Sequence, residues 1–136
     1  MGKITIQASI HAPVEKVWQY YTEPLHIMQW NHASDDWHCP KAENDLVVGG
    51  KFSSTMAAKA GSFSFDFAGS YDAIDLHKLI AYSLGDARHV EVHFDGQSEK
   101  TNMMIIFDAE QMNPEEMQKA GWQAILDNFR KHVETA

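Results

Sequence analysis

One cysteine, Cys39, and two arginines, Arg88 and Arg130, are all that this 136-residue sequence has of either type. A lone thiol forms no internal disulfide, so the fold relies on its core, and such cysteine usage fits a reducing compartment. Lys and Arg total 11 against 19 Asp and Glu, a formal charge of −8. So acidic a chain lacks the positive footprint that a phosphate backbone requires, which argues against a nucleic-acid partner. No apolar run approaches the ~20 residues that cross a bilayer. The first ten residues, MGKITIQASI, alternate in polarity and lack the continuous apolar stretch of a signal peptide. A cytoplasmic protein without membrane insertion is the expectation.

Hydrophobic residues make up 44% and charged residues 22%, which are globular proportions. The length suits a single domain over residues 1–136. It is enough to bury about two-thirds of the unfolded surface. The bulky and soft side chains are abundant: 7 Phe, 4 Trp, 4 Tyr and 7 Met. They form either an unusually bulky core or the wall of something hollow.

Ile4, Ile6 and Ala8 alternate with Thr5, Gln7 and Ser9, the period of a half-buried strand. Pro13 suits the first turn of a helix, and Val14, Val17, Trp18 and Tyr21 line one face of it to about residue 22. Pro24 breaks that helix, and Leu25 to Trp30 make a second short one. Residues 31–45 read as irregular, with Asp35, Asp36 and Pro40 among them. After Gly49 and Gly50 the pattern is β, over Lys51–Lys59, Ser62–Asp75, Lys78–Leu84, Arg88–Asp95 and Lys100–Ala109. Ala60-Gly61, Gly85-Asp86 and Asp95-Gly96-Gln97 read as the turns between them.

The C-terminal segment is the most regular. Asn113 is placed to cap it, Pro114 fits the first turn, and Glu116 sits three residues after Asn113. Met117, Gly121, Trp122, Ile125, Leu126, Phe129 and Val133 make an apolar stripe on a helix of ~33 Å. The order is one strand, two short helices, about five to six antiparallel strands and one long helix. That predicts an α+β fold in which a curved antiparallel sheet wraps a long C-terminal helix. One helix does not fill the concavity of a strongly bent sheet. The space left over is where a ligand would sit.

This order resembles the helix-grip fold of the START and birch-pollen-allergen superfamily, also called SRPBCC. The residues resemble its branch named after the activator of the heat-shock protein 90 ATPase. The matching pieces are residues 12–18 (APVEKVW), the segment from Pro24 to Trp30, and residues 49–52 (GGKF). Residues 65–71 (FDFAGSY) and 121–129 (GWQAILDNF) continue it, so the resemblance covers nearly the whole chain. It implies a hydrophobic cavity between sheet and C-terminal helix that binds lipids, sterols, polyketides or other apolar molecules. In some members it implies cyclisation chemistry. The founding activator binds a chaperone through additional regions, which this short chain has no residues to supply. Fold travels further than function in such families.

Phe63, Phe65 and Phe67 share one face of a strand, continued by Gly69 and Tyr71, and are expected on the inner wall. Trp122, Leu126 and Phe129 oppose them from the long helix. Met56, Tyr82 and Met103 on neighbouring strands complete the wall, Tyr82 offering a hydroxyl. Each of these also reads as plain core. Trp30, His32, Asp35, Asp36, Trp37, His38 and Cys39 crowd the segment after the second helix, near the expected mouth. Trp30 and Trp37 read as its anchors. His32, His38 and Cys39 are competent zinc ligands, but their spacing matches no common zinc motif, and no metal is expected. His89 and His93 would lie ~13 Å apart along a strand, too far to share an ion. No nucleophile motif or phosphate cradle is present, and no cofactor is expected.

The expectation is a small domain that binds an apolar or amphipathic small molecule. The alternatives are a co-chaperone-like module that binds a chaperone through its surface, and a cavity enzyme of cyclase or aromatase type. A homodimer through an exposed strand edge is compatible with all three.

Overall fold

The computed structural model describes residues 2–135. Ten elements follow one another: β1 (Lys3–Ile10), α1 (Val14–Thr22), α2 (Pro24–Trp30), β2 (Trp37–Asn44), β3 (Lys51–Ala58) and β4 (Ser64–Asp75), then β5 (Leu79–Leu84), β6 (His89–Gln97), β7 (Lys100–Asp108) and α3 (Glu115–Thr135). The strands form one antiparallel sheet in the order β1-β7-β6-β5-β4-β3-β2. Every connection except the helical crossover from β1 is therefore a hairpin between neighbours. The sheet curls around the long helix with two short helices after the first strand, which is the helix-grip architecture expected from the sequence.

Alternation decides which face is inner. Ile4 and Ile6 on β1, Ile80 and Tyr82 on β5, Val90 and Val92 on β6, and Met103, Ile105 and Phe107 on β7 are all buried. Their alternate neighbours face water, as for a sheet covered on one side. From α3, Leu126, Phe129 and Val133 complete the core, and Phe129 and Val133 have no exposed surface. Phe129 meets the Tyr21 ring edge-on at 5.2 Å and the Trp30 ring at 4.9 Å. Trp18 on α1 packs on Phe94 at 5.0 Å between ring centroids.

Three local readings are corrected. Residues 31–45 are not all irregular, because β2 forms the edge of the sheet beyond β3. The period is hidden by Pro40 and by a register shift between His38 and Lys41, and proline is tolerated there because an edge strand has unpaired N–H positions. The reversal after β6 lies at Ser98-Glu99, with Ser98 at φ 61°. Gly96 stays in the strand, where a Cβ would come within 2.9 Å of Val14; it lets α1 lie close on β6. Asn113 does not sit at the cap of α3, since the helix begins at Glu115 and Pro114 directly precedes it; the Asn113 amide donates to the Glu110 carboxylate. The buried Gln118 secures this junction instead, accepting from Glu110 N–H and donating to the Glu110 and Asn113 carbonyls.

The helices are tied to each other as well as to the sheet. Asn128 donates to the Trp30 carbonyl at 2.8 Å, and Gln123 to the Gln7 carbonyl at 3.0 Å. His26 on α2 and His132 on α3 are hydrogen-bonded at 2.9 Å, and Tyr20 stacks on His26 at 3.8 Å. Lys16 sits over the Tyr20 ring and Glu23 lies 3.8 Å from His26. Burial, then His26 and Lys16, hold the His132 imidazole below its ordinary value. Burial and Lys59 do the same to His32.

Two outcomes are expected. Phe129→Ala removes a ring with no exposed surface, and should cost ~3–5 kcal/mol in a denaturant titration. Because His132 and His32 are harder to protonate in the folded chain, the unfolded chain takes up protons first as pH falls. Stability should be full above the ordinary histidine value of 6.5 and decline as pH drops through the lowered folded values. The urea midpoint should therefore be lower at about pH 5.5 than at about pH 7.5, and His132→Gln should flatten that difference.

Candidate functional site

The long helix packs chiefly on β1, and α2 on β2. Between these two supports the helices meet the inner faces of β3, β4 and β5 only lightly, as where Trp122 reaches Phe67. A hollow of ≈ 210 Å³ remains there. Its sheet wall is Met56, Phe65, Phe67, Tyr82 and Ile105, and its helix wall is Trp122, Ile125 and Leu126. Tyr21, Trp30 and Asn31 close the end nearest α1 and α2. A smaller hollow of ≈ 70 Å³ shares Tyr21, Trp30, Asn31, Phe67 and Tyr82 and reaches toward Phe52, Asn44 and Tyr71.

Ring geometry holds the walls apart. Trp122 stacks on Phe107 at 3.9 Å with 11° between planes, and meets Phe67 edge-on at 5.9 Å. Phe52 packs on Tyr82 at 4.8 Å and on Tyr71 at 5.3 Å. The register places Phe52 opposite Gly69, where a Cβ would lie 3.0 Å from the ring and 2.4 Å from the Ser83 carbonyl. Phe65 borders the hollow yet is 46% exposed, so it stands at the mouth. Trp37 and Phe63 lie beside it, with centroids 6.2 and 5.9 Å away.

Three phenols, Tyr21, Tyr71 and Tyr82, stand among the polar groups that line the hollows. Tyr71 donates to Asn44, whose amide donates to the Thr22 carbonyl at 2.7 Å. This chain of bonds joins β4, β2 and the end of α1. Burial pushes the Tyr71 phenol up to about 12, with the bond to Asn44 acting in the opposite direction. Burial raises Tyr21 and Tyr82 further, and no hydrogen bond to either phenol opposes it. Both therefore stay neutral at any physiological pH. Neither hollow is lined by a lysine, arginine or histidine, and Glu43, at the smaller one, is the single carboxylate.

A family of known proteins shares this fold. The model of the family described as activator of Hsp90 ATPase homolog 1-like protein matches residues 11–134. The chain belongs to that family. A solution structure of a family member from Aeromonas hydrophila is 42% identical over 98% of this chain and 93% of its own, with a TM-score of 0.92. A protein of Cytophaga hutchinsonii is 50% identical over 98% of this chain and 92% of its own, with a TM-score of 0.84. One from Chromobacterium violaceum shares the fold at 23% identity and a TM-score of 0.88, covering 98% and 99%. No curated protein matches the chain. No helix among the described residues is long and apolar enough to cross a membrane.

Of the ten wall residues expected from the sequence of this family member, Trp30, Met56, Phe65, Phe67, Tyr82, Trp122 and Leu126 come together around the larger hollow. Three do not. Phe63 lies just before β4 and is 59% exposed, packing on Trp37 and Phe65 outside the mouth. Alternation assigned its face but not how far the sheet is covered. Met103 and Phe129 are sealed in the core, Met103 under the β1–β7–β6 half of the sheet and Phe129 against α1 and α2.

Tyr21, Asn31, Ile105 and Ile125 complete the lining without having been singled out for it. Tyr21 and Ile125 were legible only as members of apolar helix stripes, which say nothing of an empty side. Cys39 is buried, its thiol raised by burial and bonded to the Lys41 carbonyl. Among the described residues no group of three or more His, Cys, Asp or Glu side chains could hold a metal ion. His93 pairs with Glu91 at 2.9 Å on the outer face of β6.

Trp122 separates wall from core. Its ring stacks on one side and borders empty space on the other, so Trp122→Ala forfeits fewer contacts than a sealed ring would. It should cost less than about 3 kcal/mol, below Phe129→Ala in the same titration. An equal loss would place Trp122 in the close-packed core.

Proposed function

We propose that this chain binds an apolar or amphipathic small molecule in the hollow between its sheet and α3. The observation that carries the reading is the hollow itself: ≈ 210 Å³ walled by eight apolar or aromatic side chains from the sheet and α3, with a half-exposed phenylalanine at its mouth. Well-packed interiors keep few voids larger than a water molecule. Burying those side chains around an empty space forfeits dispersion contacts that a ligand would restore. Concave, mostly apolar sites with a few polar groups are the ordinary form of a small-molecule site.

Membership of the activator of Hsp90 ATPase homolog 1-like family supports the same reading through the fold, which typically forms a ligand-binding domain. The ionisable groups near the hollow are neutral phenols and one carboxylate at its margin, which favours binding over acid–base chemistry. A surface role toward a chaperone would rest on Phe63 and Trp37 instead.

Uptake of an environment-sensitive apolar dye by the full chain tests the reading. The expected result is saturable, one-to-one uptake that Ile125→Trp abolishes by filling the hollow, with the helical and strand signals of the folded chain retained. Absence of uptake by the wild-type chain, or uptake undiminished in Ile125→Trp and in a second filled variant, Met56→Trp, would sink it.

A further inference from the structure

We propose that the ligand is an uncharged, compact ring compound bearing a hydrogen-bonding oxygen, and that Tyr21 and Tyr82 are the residues that recognise that oxygen. This rests on the ligand-binding reading above and narrows it by size, charge and polarity.

Size comes first. An apolar cavity of ~150 Å³ holds a benzene molecule. At ≈ 210 Å³, with a further ≈ 70 Å³ adjoining, the space suits about eight to eleven non-hydrogen atoms on that scale. That is one substituted ring or two fused ones. Sites for drug-sized ligands start at ~300 Å³, so a full-length acyl chain or a sterol exceeds what these walls enclose. The walls are also rich in ring faces and edges, from Phe67, Trp122 and Tyr82, which suit a flat guest.

Charge comes second. A buried carboxylate or ammonium needs an opposite charge or several donors to offset its lost hydration. The lining offers an anion no cation, and the protein around it carries a net −8. It offers a cation only Glu43, at the far edge of the smaller hollow. An uncharged guest avoids both penalties.

Polarity comes third. Among the described residues no protein group hydrogen-bonds to the hydroxyl of Tyr21 or of Tyr82, in contrast to Tyr71, which is bonded to Asn44. Tyr82 is buried, only 7% exposed, and Tyr21 is partly buried against the same core. Yet neither hydroxyl belongs with the sealed, partnerless polar atoms, of which His32 Nδ1 is the sole one described. Their oxygens are therefore not sealed off, and the hollows that both residues line are the open space beside them. Tyr21 and Tyr82 both line the larger hollow and both line the smaller one, so they share its walls. Buried hydroxyls in native proteins find partners, and two neutral donors facing one space are matched by one oxygen acceptor on the guest. A guest hydroxyl would accept from one phenol and donate to the other. The side chain of Asn31 borders both hollows beside them.

The test uses the full chain, isothermal calorimetry or dye displacement, and four probes: 2-naphthol, naphthalene, 2-naphthoate and palmitate. 2-Naphthol should bind about tenfold more tightly than naphthalene, and more tightly than 2-naphthoate. Tyr82→Phe, which deletes a hydroxyl without a protein partner and leaves the ring, should weaken 2-naphthol about five- to tenfold. It should leave naphthalene unchanged, and Tyr21→Phe should act in the same direction. Naphthalene binding as tightly as 2-naphthol, or 2-naphthol unaffected by both variants, would overturn recognition by the phenols while the hollow stays a binding site. Tighter binding of palmitate or 2-naphthoate would overturn the ligand class in the same way. If none of the probes binds and the dye is not taken up, the binding reading itself falls, and this inference with it.

Discussion

The junction of Phe129 with Tyr21 and Trp30 sets the position of everything around it. A helix some twenty residues long can slide, tilt or lift over a curved sheet unless something fixes it. Here one fully buried ring from α3 is clasped by a ring from α1 and another from α2, themselves stacked at 5.1 Å. Val133 and Leu126 seal the helix on either side of that point. Nearer its start, Trp122 lies flat on Phe107 of β7. With α3 held at these places, its distance from β3, β4 and β5 is no longer free to shrink. The gap follows from a rigid support on one side and a bent sheet on the other, because close-packed supports do not deform to fill a void.

The same clasp gives the gap its chemistry. Tyr21 serves the core with its ring and the hollow with its hydroxyl. Tyr82 does likewise from β5, within the Phe52, Phe67 and Tyr71 ring cluster. Tyr71, one pairing away, has its hydroxyl committed to Asn44 and so to the architecture. Three phenols with similar surroundings thus differ in a single respect, whether a protein acceptor is within reach. An amphipathic side chain with an apolar body and a polar tip is suited to this double duty.

Much of the fold was legible because it depends on periodicity. Alternation marked β1 and β3 to β7, and the stripe from Met117 to Val133 marked α3, since burial of one face is what each period encodes. β2 escaped because an edge strand with Pro40 and a register shift carries no clean alternation. The turn at Ser98 escaped because the glycine nearby, Gly96, is needed for close packing against Val14 and not for the turn. The site was legible to the extent that it shares the faces of the core. Phe67, Tyr82 and Trp122 were found in that way. Phe63 was misplaced by the same rule, since alternation continues past the point where the helices stop covering the sheet.

The sequence by itself determined most of the secondary structure, the inner face and the family, because each resides in local spacing or in short motifs along the chain. It also determined that the interior would be crowded with rings and methionines. Only the tertiary structure decided which of those rings touch protein on every side and which border a hollow. Phe129 and Trp122 are seven residues apart on one stripe and chemically alike, yet the first is sealed and the second is a wall. The difference is set by what approaches each from a distant part of the chain. That depends on sheet curvature and helix position, which are properties of all the contacts together and are written at no single position.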